Sequence, residues 1–166
     1  MSAASLRSDF KIDERAISGN QNNGQFEDAT INAYDDTTNL LYRLSSPIIY
    51  YRQSTGFEFE QPKVSYQTSA KVPLQLSAAK GYMENNSALI ELLGDVNLFH
   101  INPDNNMPEY LNTDDATIDL NQKRAYTDNK ATFRRHNRIT EGTGMVVNLE
   151  TQTVKLKSNI KVLNVP

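Results

Sequence analysis

One pattern is written three times between Leu76 and Val162, and it leaves the chain few folds to choose from. Leu76, Ala78, Gly81, Met83, Ile90, Leu92, Val96 and Leu98 form the first copy. Leu111, Thr113, Ala116, Ile118, Ala125, Thr127, Ala131 and Phe133 repeat it residue for residue, and Met145, Val147, Val154, Leu156, Ile160 and Val162 repeat its last six positions. Each copy alternates apolar and polar residues, breaks at a polar turn and alternates again. Side chains of a strand point to opposite faces with period two, so each copy reads as a β-hairpin with one oily face. Repeats of this length stack and share one continuous core. The expected fold class is therefore all-β: stacked antiparallel strands whose apolar faces turn inward.

The same alternation extends upstream. Ala29, Ile31 and Ala33 lead into Asp35-Asp-Thr-Thr-Asn39, whose side chains can bond their own backbone in a turn, and Leu40, Tyr42 and Leu44 return. Pro47 precedes Ile48-Ile-Tyr-Tyr51, Gln53–Gly56 turns the chain, and Phe57 and Phe59 share a face opposite Glu58 and Glu60. Pro62 marks a strand boundary or an edge. Further tips fall at Glu84–Ser87, Asn102–Pro108, Asn121–Arg124 and Glu150–Gln152. Residues 1–25 read as a flexible lead-in with one short element around Phe10–Ile12, and residues 26–166 as one domain.

Composition narrows the function. At 38% hydrophobic residues and a mean hydropathy of -0.59, 166 residues can cover one face of a sheet but not a thick two-sided core. A formal charge of -3 and a pI near 5.4 lack the electrostatic footprint of a general nucleic-acid binder. With no cysteine there are no disulfides and no thiolate metal sites. No apolar run is long enough to span a bilayer, and Met1–Asp9 has no apolar core of a secretion signal.

Candidate chemistry is sparse. His100 and His136 are the only histidines and stand at no metal-ligand spacing. Asp35-Asp36 and Asp114-Asp115 read as turn and edge residues rather than catalytic pairs. Asn85-Asn-Ser87 fits a glycosylation sequon, but a turn explains it. No phosphate-binding loop, dinucleotide fingerprint or nucleophile elbow is present, so a hydrolase is the least favoured class. The one basic cluster, Arg134-Arg-His-Asn-Arg138 with Lys130 nearby, suits lipid phosphates, although a solvated loop accounts for it as well.

Several segments in succession resemble the LptC family: Phe59-Glu-Gln-Pro62, Ala88–Val96 after Gly81, Leu111–Ala116, and Gly142-Thr-Gly-Met145 before Asn148-Leu149. Tyr34–Leu44 is similar to that family's opening hairpin. The resemblance covers roughly residues 26 to 162, and the OstA-type repeat of LptA shares the hairpin pattern. It implies a twisted β-jellyroll of stacked strands, or slotted half-barrel. It implies transport of lipopolysaccharide from the inner to the outer membrane, received from an inner-membrane ABC transporter and handed to LptA by strand addition at an open edge. It also implies a periplasmic domain held at the inner membrane by an N-terminal helix that this chain lacks. No enzyme activity, cofactor or metal is expected, and a homodimer is left open. By alignment, Ala29, Phe59 and Val154 fall where the family contacts acyl chains. With the alternating positions Ile31, Tyr42, Met83, Leu92, Leu98, Ile118, Phe133, Val147, Leu156 and Ile160, they make the expected lining of the groove. Arg134, Arg135 and Arg138 are the expected headgroup contacts. Asn129-Lys130 departs from the family, which often has Gly there. The alternatives are an LptA-like bridge segment and a purely structural edge-to-edge connector with a filled core.

Overall fold

The computed structural model describes residues 7–12, 16–20, 23–67 and 72–164, with side chains from residue 23 to 163 in those ranges. The first residues of the expected lead-in lie outside the described residues. Alternating sequence becomes strand throughout: β1 (Arg7–Ile12), β2 (Ala16–Asn20), β3 (Asn23–Tyr34), β4 (Leu40–Arg52), β5 (Gly56–Glu60), β6 (Lys63–Tyr66), β7 (Leu74–Ser77), β8 (Lys80–Glu84), β9 (Leu89–Ile101), β10 (Pro108–Asp119), β11 (Arg124–Arg135), β12 (Arg138–Asn148) and β13 (Thr153–Asn164). β1 and β2 stand inside the segment expected to be a lead-in, and both pair with β3. Every pairing is antiparallel, and all thirteen strands belong to one sheet. No helix among the described residues is long and apolar enough to cross a membrane.

β5 and β6 are two halves of one strand-length, both paired with β4, and β7 and β8 are likewise two halves paired with β9. The breaks fall at Gln61-Pro62 and Ala78-Ala79. The long strands are interrupted at the same level. The register slips near Asp114, Asp128-Asn129, Gly144 and Asn159. Left-handed backbone clusters there too, at Asp28, Gln61, Gly94, Asp95, Gly144 and Asn159. The other left-handed residues, among them Thr38, Asn86, Asn106, Lys123, His136 and Gln152, sit at hairpin tips. A bulge bends its strand and raises the local twist. A line of bulges across a whole sheet therefore folds the sheet along a seam.

The seam divides the sheet into two limbs. One limb carries the halves near Tyr42, Val64, Leu76, Leu98 and Leu111. The other carries the halves near Ile49, Phe59, Leu92 and Ile118. A single sheet without helices cannot bury its residues to 0% unless something covers its face, yet Ile49, Phe59, Leu74, Ile90, Leu92 and Ile118 are all at 0%. The limbs cover each other, as two packed sheets do. Backbone groups freed by the bulges are taken up locally. Ala79 N donates to Gly94 O at 2.8 Å and Gln61 N to Ala79 O at 2.8 Å. The buried hydroxyls of Ser46 and Thr113 donate to the carbonyls of Glu60 and Lys130 at 2.5 and 2.9 Å, and that of Thr127 donates to the Asp115 carboxylate at 2.8 Å.

Candidate functional site

Cross-strand partners share a face, so the register strings the inward residues into rows. In one limb Phe26, Ile49, Phe59, Gly81, Leu92 and Ala116 form a row, and Thr127, Met145 and Leu156 carry it on. Beside it run Tyr51, Phe57 and Met83, then Ile90, Ile118, Ala125, Val147 and Val154. In the facing limb the row is Ile31, Leu44, Val64, Leu76, Leu98, Leu111, Phe133, Thr140 and Val162. Gly81 is small for a reason. A Cβ there would stand 3.1 Å from the Pro62 ring and 3.3 Å from the Phe59 ring.

Between the limbs lies a slot that is filled in the middle and open at both ends. At the β3–β4–β5–β8 end a cavity of about 680 Å³ is lined by Phe26, Tyr42, Tyr51, Phe57, Met83 and Ala88, with Glu84, Asn85, Asn86, Ser87 and Asn121 at its polar rim. Its aromatic wall runs straight into the packed centre. Tyr51 and Phe57 rings are 4.8 Å apart, and Phe57 stacks on the fully buried Phe59 at 6.0 Å with the planes 7° apart. At the other end no strand among the described residues pairs beyond β13, and Ile160 and Val162 stay 57% and 45% exposed.

The expected lining residues divide accordingly. Ala29, Ile31, Tyr42, Phe59, Leu92, Leu98, Ile118 and Val147 are buried; Met83, Phe133, Val154 and Leu156 are half-buried. Ile160 lies two residues from Val162 on the face that continues the slot, but as part of an end strand it is open to water. Only Tyr42 and Met83 of the expected set line the cavity. Phe26, Tyr51 and Ala88 were not expected there, although Phe26 and Tyr51 sit on the inward parity of their strands. The expected headgroup arginines do not converge. Neighbours along a strand alternate faces, so Arg134 lies outward over the Tyr110 ring at 5.0 Å while Arg135 turns inward to Glu109 at 3.2 Å. Arg138 pairs with Arg135 across the tip and is exposed.

At the mouth, opposite the seam, the limbs meet through a buried polar cluster. His100, Glu109 and Gln152 are all at 2% exposure or less. Gln152, from the β12–β13 tip, donates from Nε2 to Val72 O at 3.1 Å. That fixes its amide, so Oε1 accepts from His100 Nδ1 at 3.2 Å. Glu109 Oε1 lies 2.9 Å from His100 Nε2, off the line of a directed hydrogen bond, and Asn102 and Arg135 reach its other oxygen at 3.1 and 3.2 Å. His100 and Glu109 stand opposite each other across the Asn102–Met107 tip. Counting outward from that tip pairs them in the sequence. Gln152 carries no such signal, because it belongs to the other limb.

The same closure perturbs two tyrosines. Burial pushes the Tyr42 phenol up to about 12. Burial also raises Tyr66, with Lys123 opposing and Glu150 reinforcing. Lys123 is itself raised by its 2.7 Å hydrogen bond to Glu150. No cluster of metal-ligating side chains occurs among the described residues. The arrangement offers an oily channel with a polar clasp.

LptH of Pseudomonas aeruginosa, described as the LptA homologous periplasmic component of the conserved lipopolysaccharide transport device, aligns over 96% of both chains at 10% identity with a TM-score of 0.46. A comparison with curated proteins gave no match. A family model described as lipopolysaccharide-assembly, LptC-related, matches residues 2–164, and the chain belongs to that family.

Proposed function

We propose that this chain carries lipopolysaccharide by holding acyl chains between its two limbs, and that it does so without catalysing a reaction. Membership of the LptC-related family gives it a role in lipopolysaccharide assembly and transport. The observation that supports the finer reading is the aromatic wall that leads from the open cavity to Phe59. A cavity of this size is within the range that holds a small ligand, and each methylene buried there contributes about 0.8 kcal/mol. The polar rim suits a molecule with an oily tail and a hydrated head.

In this reading lipid enters at the Phe26–Phe57–Met83 end from an inner-membrane transporter and leaves past Phe133, Leu156, Val162 and Ile160. The unpaired edge of β13 would receive an LptA strand, since an open edge offers a row of backbone donors and acceptors. The domain works in the periplasm. Met83→Glu tests this. A carboxylate placed in the cavity is expected to abolish co-purification of lipopolysaccharide while the far-ultraviolet spectrum stays that of a β-protein. Undiminished lipid with the charge in place would defeat the proposal and favour a structural connector.

A further inference from the structure

The outer face of the limb opposite the cavity carries a second concavity that the lipid slot does not use. It measures about 410 Å³. Its floor is made where Ser45, Ser65 and Ser77 stand on adjacent strands β4, β6 and β7, so the backbone is left uncovered. At one end are two cations, Arg43 and Lys63; at the other are two rings, Phe99 and Tyr110. All of these alternate with buried Leu44, Val64, Leu76, Leu98 and Leu111, and so point away from the slot.

Each feature departs from an ordinary solvated sheet face. Tyr110 is 43% exposed, its ring 5.2 Å from Phe99 and tilted by 46°, with the Arg134 guanidinium 5.0 Å away. Neither Arg43 nor Lys63 has a carboxylate within ion-pair reach among the described residues. Among the described residues Arg43 donates only through Nε to Asn32 Oδ1, at 2.9 Å, and its outer guanidinium nitrogens meet no other acceptor there. Gln75 supplies an amide between the two ends, beside Asn97, whose own amide is held by Asp95 O at 3.0 Å and Asn112 Nδ2 at 2.8 Å. Asp95 beyond Asn97 is tied to Asn112 at 2.9 Å.

We infer that this face binds a phosphorylated oligosaccharide. A pyranose presents C–H groups that lie against exposed rings, hydroxyls that pair with amides and hydroxyls, and, when phosphorylated, a charge that matches unpaired Arg and Lys. Arg43 on β4 and Tyr110 on β10 are four strand steps apart, about 19 Å, and Lys63 on β6 and Phe99 on β9 are two steps apart, about 10 Å, which calls for two or more linked sugars rather than one. The ligand has two sources, the saccharide portion of lipopolysaccharide or an unrelated soluble glycan. The site is on the outer face and stands or falls apart from the slot.

The test is a titration of the isotope-labelled chain, followed by amide resonances. Three additions are compared: de-acylated lipopolysaccharide oligosaccharide with its phosphates, a phosphorylated maltotetraose, and inorganic phosphate alone. Shifts confined to the outer rows of β4, β6, β7, β9 and β10 with either oligosaccharide support the site, and the tighter of the two identifies the source. Tyr110→Ala is expected to weaken binding about fivefold and Lys63→Ala about tenfold. Both side chains are exposed, so the variants should keep the dispersed spectrum of the folded chain. No shift in these strands at millimolar oligosaccharide, equal shifts from inorganic phosphate alone, or unweakened binding by both variants would each overturn the inference.

Discussion

Gly94→Ala probes the seam on which the two-limb architecture rests. Gly94 has φ of +81°, in the left-handed region. An L-residue there costs roughly 1–2 kcal/mol. A second cost is steric: the new Cβ would stand 2.9 Å from the Ala79 Cβ, a separation real methyl pairs do not adopt. Ala79 cannot swing away, because its N–H is held by the Gly94 carbonyl at 2.8 Å. Together the two effects should cost about 2–4 kcal/mol, in the upper part of the single-substitution range. Equilibrium urea unfolding measures this directly. Ala79→Gly in the Gly94→Ala background removes the steric part but not the backbone part, so it should recover about half. A loss below roughly 0.5 kcal/mol, or no recovery in the double variant, would refute the seam as a strained, specified bend.

Other outcomes follow from particular side chains. Phe59→Ala removes a fully buried ring and should cost about 3–5 kcal/mol in the same assay. Glu109→Leu should cost about 1–3 kcal/mol in the same assay, since it takes the acceptor from Asn102 Nδ2 and Arg135. Tyr42 titrates at about 12 when folded and near 10 when unfolded, so below pH 10 its protonated form contributes its full stability. As pH rises from 10 towards 12 the unfolded chain releases the proton first, and roughly 2–3 kcal/mol should be lost. Tyr42→Phe should flatten that alkaline decline, as followed by denaturant midpoints between pH 9 and 12.

Much of the fold was legible in the residues. Period two gave the strands, and the Asx-rich and Gly-containing tips, from Asp35–Asn39 to Glu150–Gln152, stand where the hairpins turn. The seam was not legible, because a bulge changes inward parity within one strand. In β10 Leu111 and Thr113 face inward, then Ala116 and Ile118 do, so a strict alternation rule loses step at Asp114. The cavity was only half legible. Phe57 and Met83 declare their face by alternation, whereas Tyr42 reaches the cavity only because the sheet folds back on itself. The split of Arg134 from Arg135 was implicit in strand geometry, but a basic run draws attention to charge rather than to face. Gln152 and His100 meet across the two limbs, a contact that no local pattern encodes.

Photo-crosslinking along β5 puts the account at most direct risk. A photoreactive residue at Phe57 faces the cavity, and one at the adjacent Glu58 faces the opposite side of the sheet. In cells making lipopolysaccharide, the probe at 57 should give lipid adducts, the probe at 58 should give none, and one at Met83 should match 57. Adducts at 58 equal to those at 57, or none at 57 and 83 in a folded chain, would contradict a slot that holds acyl chains between the limbs.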